Sequence, residues 1–198
     1  MARPKTYFDA KTAEDRERGQ IRLDPRKVEA KGAFRVGYFT SFTGTVKVRG
    51  PVFVGRYCAI GDDCRLIAGS HDTQMFNLQI RLQRDIGAIG GHHRKGPIRV
   101  GHNVWFGDRV MVMSGVTIGN GAICAGGAVV TSDVPDFAVV GGLPARFLRW
   151  RFTESVRQQL NDLAWWDWPR DRIERNKAFF EYRLEADEDI DLSTLVVD

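Results

Sequence analysis

The sequence predicts an all-β, three-sided parallel β-helix of about four coils, broken once by an excursion loop and followed by α-helices. Three observations predict it: an apolar residue at every sixth position, a small or branched residue four places later, and glycine recurring directly after the apolar position. The apolar register reads Val36, Phe42, Val48, Val54, Ile60, Leu66, and then Val100, Phe106, Val112, Ile118, Cys124, Val130. With 43% hydrophobic residues in the chain, chance would fill these twelve places about 4 times in 100,000, so the period belongs to the fold.

A period of six suits neither the 3.6 of a helix nor a hairpin meander; each unit has room for one short strand and one tight turn. The first residue points inward. The fifth faces the core near a corner: Thr40, Val46, Val52, Cys58, Cys64, Ser70, then Val104, Val110, Val116, Ala122, Ala128, Val134. The glycines at position two (Gly37, Gly55, Gly61, Gly101, Gly107, Gly119) are expected to supply the positive φ of a turn. Three hexads make one triangular coil, and each coil buries the apolar face of the next.

The elements follow in order. Residues 1–32 form an N-terminal extension without an apolar stretch of signal-peptide length, and no later segment is long and apolar enough to span a membrane, so a soluble cytoplasmic protein is expected. Residues 33–150 form the β-helix. Leu66 and Val100 are 34 apart, not a multiple of six, so the chain leaves the coil after His71 and returns near Ile98, with an excursion over 72–97. Residues 151–198 form a helical segment and an acidic tail. Thr153 is the expected N-cap of a helix carrying Val156, Leu160 and Leu163, and Pro169 opens a second with Ile173 and Phe180 seven apart. Trp165, Trp166 and Trp168 at the junction are read as packing.

Net charge is +4, with basic residues gathered at Arg146, Arg149 and Arg151. The sequence shows no nucleic-acid-reading module or basic stripe interleaved with aromatics, so nucleic acid is not expected as a partner. Cys58, Cys64 and Cys124 form no CxxC pair and read as core residues. His71 stands at the base of the excursion, where a rigid scaffold can orient its ring. His92 and His93 lie in the glycine-rich part of the loop and His102 on an outward hexad position.

The segments VGRYCAIGDDCRLIAGSHD, VGHNVWFGDRVMVMSGVTIGNGAICAGGAVVTSDVPDFAVVGGLPARFLRWRF and WWDWP together resemble the left-handed β-helix (hexapeptide-repeat) acyltransferases. The resemblance is to the xenobiotic acetyltransferase branch, with its chloramphenicol, streptogramin and surface-polysaccharide O-acetyltransferases. It covers roughly 36–180. It implies a homotrimer with active sites between neighbouring prisms and acetyl-CoA as co-substrate. His71 matches the catalytic histidine. Trp105, Gly107 and Asp108 match the segment bordering the CoA arm and thioester, and Ala125, Gly126 and Gly127 the coil along the pantetheine. Thr131, Ser132, Pro144, Arg146 and Arg149 match the nucleotide end. Asp72, Phe76, His92 and His93 are the expected acceptor contacts. Three departures stand out: Asn77-Leu78-Gln79 where the drug acetylators have a proline, Leu143 in place of the asparagine of GGNPA, and a His92-His93-Arg94-Lys95 loop more like that of sugar acetyltransferases.

Acetyl transfer to a hydroxyl needs a base that is neutral at pH 7, and an imidazole, ordinarily titrating near 6.5, suits the task. Core cysteines argue for direct attack over a covalent acetyl-enzyme. A backbone N–H at the Gly107–Asp108 turn is the candidate donor to the developing oxyanion. A saccharide or related small molecule is the expected acceptor. The alternatives are an antibiotic O-acetyltransferase, N-acetylation of an amino sugar, and a non-catalytic CoA-binding scaffold. A trimeric zinc enzyme on this scaffold needs histidines at fixed coil positions, a spacing His71, His92, His93 and His102 do not show, so no metal is expected.

Overall fold

The computed structural model describes residues 28–88, 92–93 and 95–197. The hexads wind into a three-faced parallel solenoid. The first face carries β1 (Val28–Lys31), β4 (Val46–Arg49), β7 (Cys64–Ile67), β12 (Met111–Met113) and β15 (Val129–Val130), in that spatial order. The second carries β2 (Phe34–Val36), β5 (Val52–Val54), β10 (Ile98–Val100) and β13 (Thr117–Ile118). The third carries β3 (Ser41–Phe42), β6 (Ala59–Ile60), β11 (Trp105–Phe106), β14 (Ile123–Cys124) and β16 (Ala138–Gly142), and closes with antiparallel β17 (Ala145–Trp150). The excursion holds β8 (Ser70–His71), helix α1 (Ile80–Asp85) and β9 (His92–His93).

The first face therefore has five rungs, one more coil than the four expected. At the N-terminal end β1 already pairs with β4, within the segment expected as an extension. At the other end one circuit shortens from 18 residues, His102 to Asn120, to 16, Asn120 to Asp136. That slip puts Asp136 where the register asks for an apolar residue, while Val134, Ala138 and Val140 continue the core.

Eleven of the twelve register residues are buried, with Phe42 partly covered. The fifth positions are buried too, except Ser70, where the chain departs. Burial pushes the Cys58 and Cys64 thiols up to about 11 and Cys124 to about 12, which makes them core filler and not nucleophiles.

The position-two glycines serve a different purpose from the one expected. None has a positive φ; a Cβ on each would collide with the adjacent coil, as at Gly107, where it would sit 2.6 Å from the Gly126 nitrogen. The left-handed residue comes two places later, at Phe39, Tyr57, Asp63, Asn103, Arg109 and Gly121. Coil stacking holds five non-glycine residues there against their preference.

Polar side chains stitch the corners. Asp62 Oδ1 accepts from the Thr45 N–H at 2.6 Å, and Asp108 Oδ1 from the Asp62 N–H at 2.8 Å. At another corner His102 Nδ1 accepts from the Arg56 N–H, Asn120 Oδ1 from the His102 N–H, and Asp136 Oδ1 from the Asn120 N–H. The His102 ring stacks on Trp166 at 5.6 Å and 3°.

The C-terminal segment packs on this end. Helix α2 (Glu154–Leu163) has the expected Thr153 cap, whose Oγ1 accepts from the Val156 N–H. The second expected helix is instead a 3-10 turn (Trp165–Asp167) and two short helices, α3 (Arg170–Arg175) and α4 (Lys177–Glu181). Buried Asn176 divides them: its amide donates to the Arg172 and Val197 carbonyls and accepts from the Val197 N–H, pinning the chain's end to the helices. Trp166 and Trp168 are buried, and Arg56 pairs with Asp167 at 2.8 Å, so the tryptophan cluster packs as expected.

Candidate active site

The chain leaves the first face at β7 and runs through Ser70 and His71, which pair antiparallel with His93 and His92. Nothing is described of the His92 and His93 side chains, so their expected acceptor contacts lie outside the described residues, as does Arg94. The His71 ring is exposed, and its Nδ1 lies 2.6 Å from the Leu78 carbonyl oxygen. A carbonyl can only accept, so Nδ1 carries the proton and donates, and in the neutral ring the lone pair is then on Nε2.

The Leu78 carbonyl is aimed by the residues that depart from the family pattern. Asn77 Oδ1 accepts from the Gln79 N–H at 3.0 Å, and Asn77 Nδ2 donates to the Gln79 carbonyl. Gln79 caps α1 by accepting from the Arg81 N–H, and buried Gln83 reaches back to donate to the Asn77 carbonyl at 2.9 Å. A polar turn thus stands where the drug acetylators have a rigid proline, and it holds the carbonyl against His71. No residue-type signal marks a backbone carbonyl, so its role was invisible before the fold was seen.

The other expected residues divide into three groups. Asp72 accepts from the Gln74 N–H in a local turn, and Phe76 projects fully into solvent. Trp105, half-exposed on β11, lies between Ala59 and Ile123 in register, and Gly107 packs on Gly126 at the following corner. The Gly107 N–H donates to the Cys124 carbonyl at 2.9 Å, which removes it as an oxyanion donor and leaves the N–H of Asp108 as the candidate. The Asp108 side chain belongs to the corner ladder, and its carbonyl accepts from the Gly127 N–H.

Ala125, Gly126 and Gly127 present little side chain, and Gly126 and Gly127 are exposed. Thr131 and Ser132 lie exposed just beyond β15. Pro144 sits in the β16–β17 turn, with Arg146 opposite Gly141 and Arg149 opposite Val139. Arg146 and Arg149 are exposed, but Arg151 turns inward: its Nη1 donates to the Gly121 carbonyl at 2.6 Å, and burial lowers its proton affinity. The basic cluster available to a ligand is therefore Arg146 and Arg149. Among the described residues no hydrogen bond joins His71 to any of these.

A cavity of about 330 Å³ opens beside His71, lined among others by Lys31, Arg49, Ile67, Ser70 and Ile80. A larger one, about 430 Å³, lies between the last coils and the C-terminal helices and touches none of the expected site residues. The described residues hold no group of three metal-ligating side chains.

Fold and site together define a hexapeptide-repeat acyltransferase scaffold. No family model matches the chain. It is 31% identical over 139 residues to a chloramphenicol acetyltransferase of Escherichia coli, a stretch covering 65% of this chain and 65% of that protein, just under two thirds. It is 30% identical over 130 residues to a probable macrolide acetyltransferase of Lysinibacillus sphaericus, covering 62% of this chain and 72% of that protein. Among solved structures, a hexapeptide-repeat acetyltransferase of Vibrio cholerae complexed with acetyl coenzyme A is 29% identical, covering 59% of this chain and 60% of that one with a TM-score of 0.46. The chain belongs to the xenobiotic acetyltransferase-like branch of the left-handed β-helix acetyltransferases.

Proposed function

We propose that the protein transfers the acetyl group of acetyl-CoA to a hydroxyl of a saccharide or related small molecule, with His71 as general base. The observation that carries this reading is the 2.6 Å bond from His71 Nδ1 to the Leu78 carbonyl. It orients the ring and leaves Nε2 to take the hydroxyl proton as the oxygen attacks the thioester carbonyl. The imidazolium so formed then protonates the departing thiolate, so the proton count closes without a covalent enzyme intermediate. The buried, high-pKa cysteines support direct attack.

The co-substrate fits the small, exposed surface of Gly126 and Gly127 beside Trp105, with Arg146 and Arg149 available to its phosphates. The Asp108 N–H is the proposed oxyanion donor. Because His71 leaves from the first face and Trp105 stands on the third, with no hydrogen bond among the described residues joining His71 to this surface, the reading includes a homotrimer whose sites lie between subunits.

The relatives' names favour a second reading, acetylation of an antibiotic hydroxyl. A thiol-release screen of saccharides, nucleotide sugars and antibiotics with acetyl-CoA separates the two. In His71→Ala the expected fall in kcat is about 10²–10⁴-fold, with CoA affinity near wild type. A folded, fully active His71→Ala enzyme would refute the assignment, and turnover with amines alone would remove O-acetylation.

A further inference from the structure

The cavity beside His71 has two cationic side chains in its wall, Lys31 and Arg49. Lys31 and Arg49 are register partners at the ends of β1 and β4, and the next residue in that column is Ile67 on β7. Neighbouring strands lie about 4.8 Å apart, so the two cationic side chains start from adjacent rungs of one face. Both line the cavity together with His71, and among the described residues no acidic one does. Among the described residues the ion pair of Lys31 is an exposed contact to Glu29 at 3.4 Å, which water screens heavily. Among the described residues Arg49 has no carboxylate partner in an ion pair.

The place of these residues in the stack decides what they serve. The first face runs β1, β4, β7, β12, β15, and His71 follows β7. Lys31 and Arg49 lie on the N-terminal side of that rung. The surface proposed for the co-substrate, from Trp105 to Arg149, lies on the C-terminal side, with its own pair of arginines. The two basic groups flank His71 from opposite ends, so the N-terminal pair falls to the acceptor.

Resting on the proposed acetyl transfer at His71, we infer that the acceptor is an anionic hydroxyl compound, whose carboxylate or phosphate is held by Arg49 and Lys31 while the hydroxyl meets His71 Nε2. A guanidinium offers a carboxylate or phosphate two parallel hydrogen bonds, and an ammonium beside it adds a point charge. A cavity of about 330 Å³ is at the small end of ligand sites and suits a single acidic sugar unit. Positive charge at its wall disfavours an acceptor bearing an ammonium group.

The test compares matched acceptors: glucuronate with glucose, galacturonate with galactose, and glucose 1-phosphate as the phosphate arm. Each is assayed for thiol release from acetyl-CoA and, independently of turnover, for binding by calorimetry in the presence of CoA. At least one anionic member should bind about 10-fold more tightly than its neutral counterpart. Raising salt to about 0.5 M should shrink the gap, because exposed charges are screened. Arg49→Gln should abolish the preference and raise KM for that acceptor about 10-fold, leaving KM for acetyl-CoA unchanged. Arg65→Gln, on the same face but outside the cavity, should behave as wild type. Equal binding of anionic and neutral twins, or an Arg49→Gln protein that binds as wild type, overturns the inference. Anion binding that Arg49→Gln removes, in a protein that releases no thiol with any acceptor, upholds the site and sinks the acetyl-transfer reading instead.

Discussion

His71 and His102 present their rings to the backbone in opposite ways. His71 donates from Nδ1 to a carbonyl and keeps Nε2 free, whereas His102 uses Nδ1 to accept from the Arg56 N–H. The His102 role is the one that Asn120 and Asp136 fill on the coils that follow, so its ring is a corner stitch. Burial lowers its pKa, outweighing the attraction of Asp167. The sign follows from linkage: below the ordinary histidine value of about 6.5 the unfolded chain binds a proton that the folded chain refuses, so folding weakens as pH falls through that value toward the depressed one. Wild-type protein should therefore lose melting temperature between pH 7.5 and 5.5. His102→Asn keeps an acceptor at the corner but no titrating group, so its melting temperature should depend less on pH. Parallel melting curves for the two proteins would show that His102 takes no part in acid sensitivity.

At the scale of elements, the excursion arm is a device for aiming one carbonyl. Gln83 on α1 holds the Asn77 carbonyl, Asn77 and Gln79 close a turn on each other, and Leu78 between them faces His71. Gln83 is thus a positioning residue. In Gln83→Leu the turn loses its tether, and kcat should fall about 10-fold while KM for acetyl-CoA stays unchanged, the loss of one buried hydrogen bond. Imidazole nitrogen shifts should report a mixed His71 tautomer in the variant; a pure Nδ1–H form with reduced kcat would place Gln83 outside the His71 network. The solenoid and the excursion were legible in the hexad register because an inward residue every sixth position leaves a count that survives without alignment. The first rung, β1, was missed because Val28 and Ala30 are only partly covered, and the last rung of the third face, β16, because a 16-residue circuit throws Asp136 into the register. The turn geometry was misplaced by two residues, since glycine marked coil contact and not positive φ. β17 escaped because ARFLRW is exposed along nearly its whole length and shows no alternation. Lys31 and Arg49 carried no motif; only register brought them to one cavity.

At the scale of the whole molecule, the proposed chemistry requires His71 to meet the surface around Gly126. His71 departs from the first face after β7, while Trp105 sits on the third face. Trp105 remains half-exposed, and Met111 and Met113 are only partly covered on the first face, which leaves apolar area for a neighbouring prism. Light scattering should give three times the 22.3 kDa chain mass. A mass alone would not show that the sites are shared, but complementation does. His71→Ala removes the proposed base and leaves the proposed co-substrate surface whole; Gly126→Trp blocks that surface and leaves His71 whole. Each homotrimer should be inactive. When the two chains are co-expressed in equal amounts and assemble at random, a site between subunits is intact whenever a Gly126→Trp chain lends His71 to the surface of a His71→Ala chain. That combination occurs at about one site in four across the whole co-expressed population, so the preparation should regain about a quarter of wild-type activity. If each site lay within one chain, no mixture could restore it, and persistent inactivity of well-folded mixed trimers would rule out the shared site.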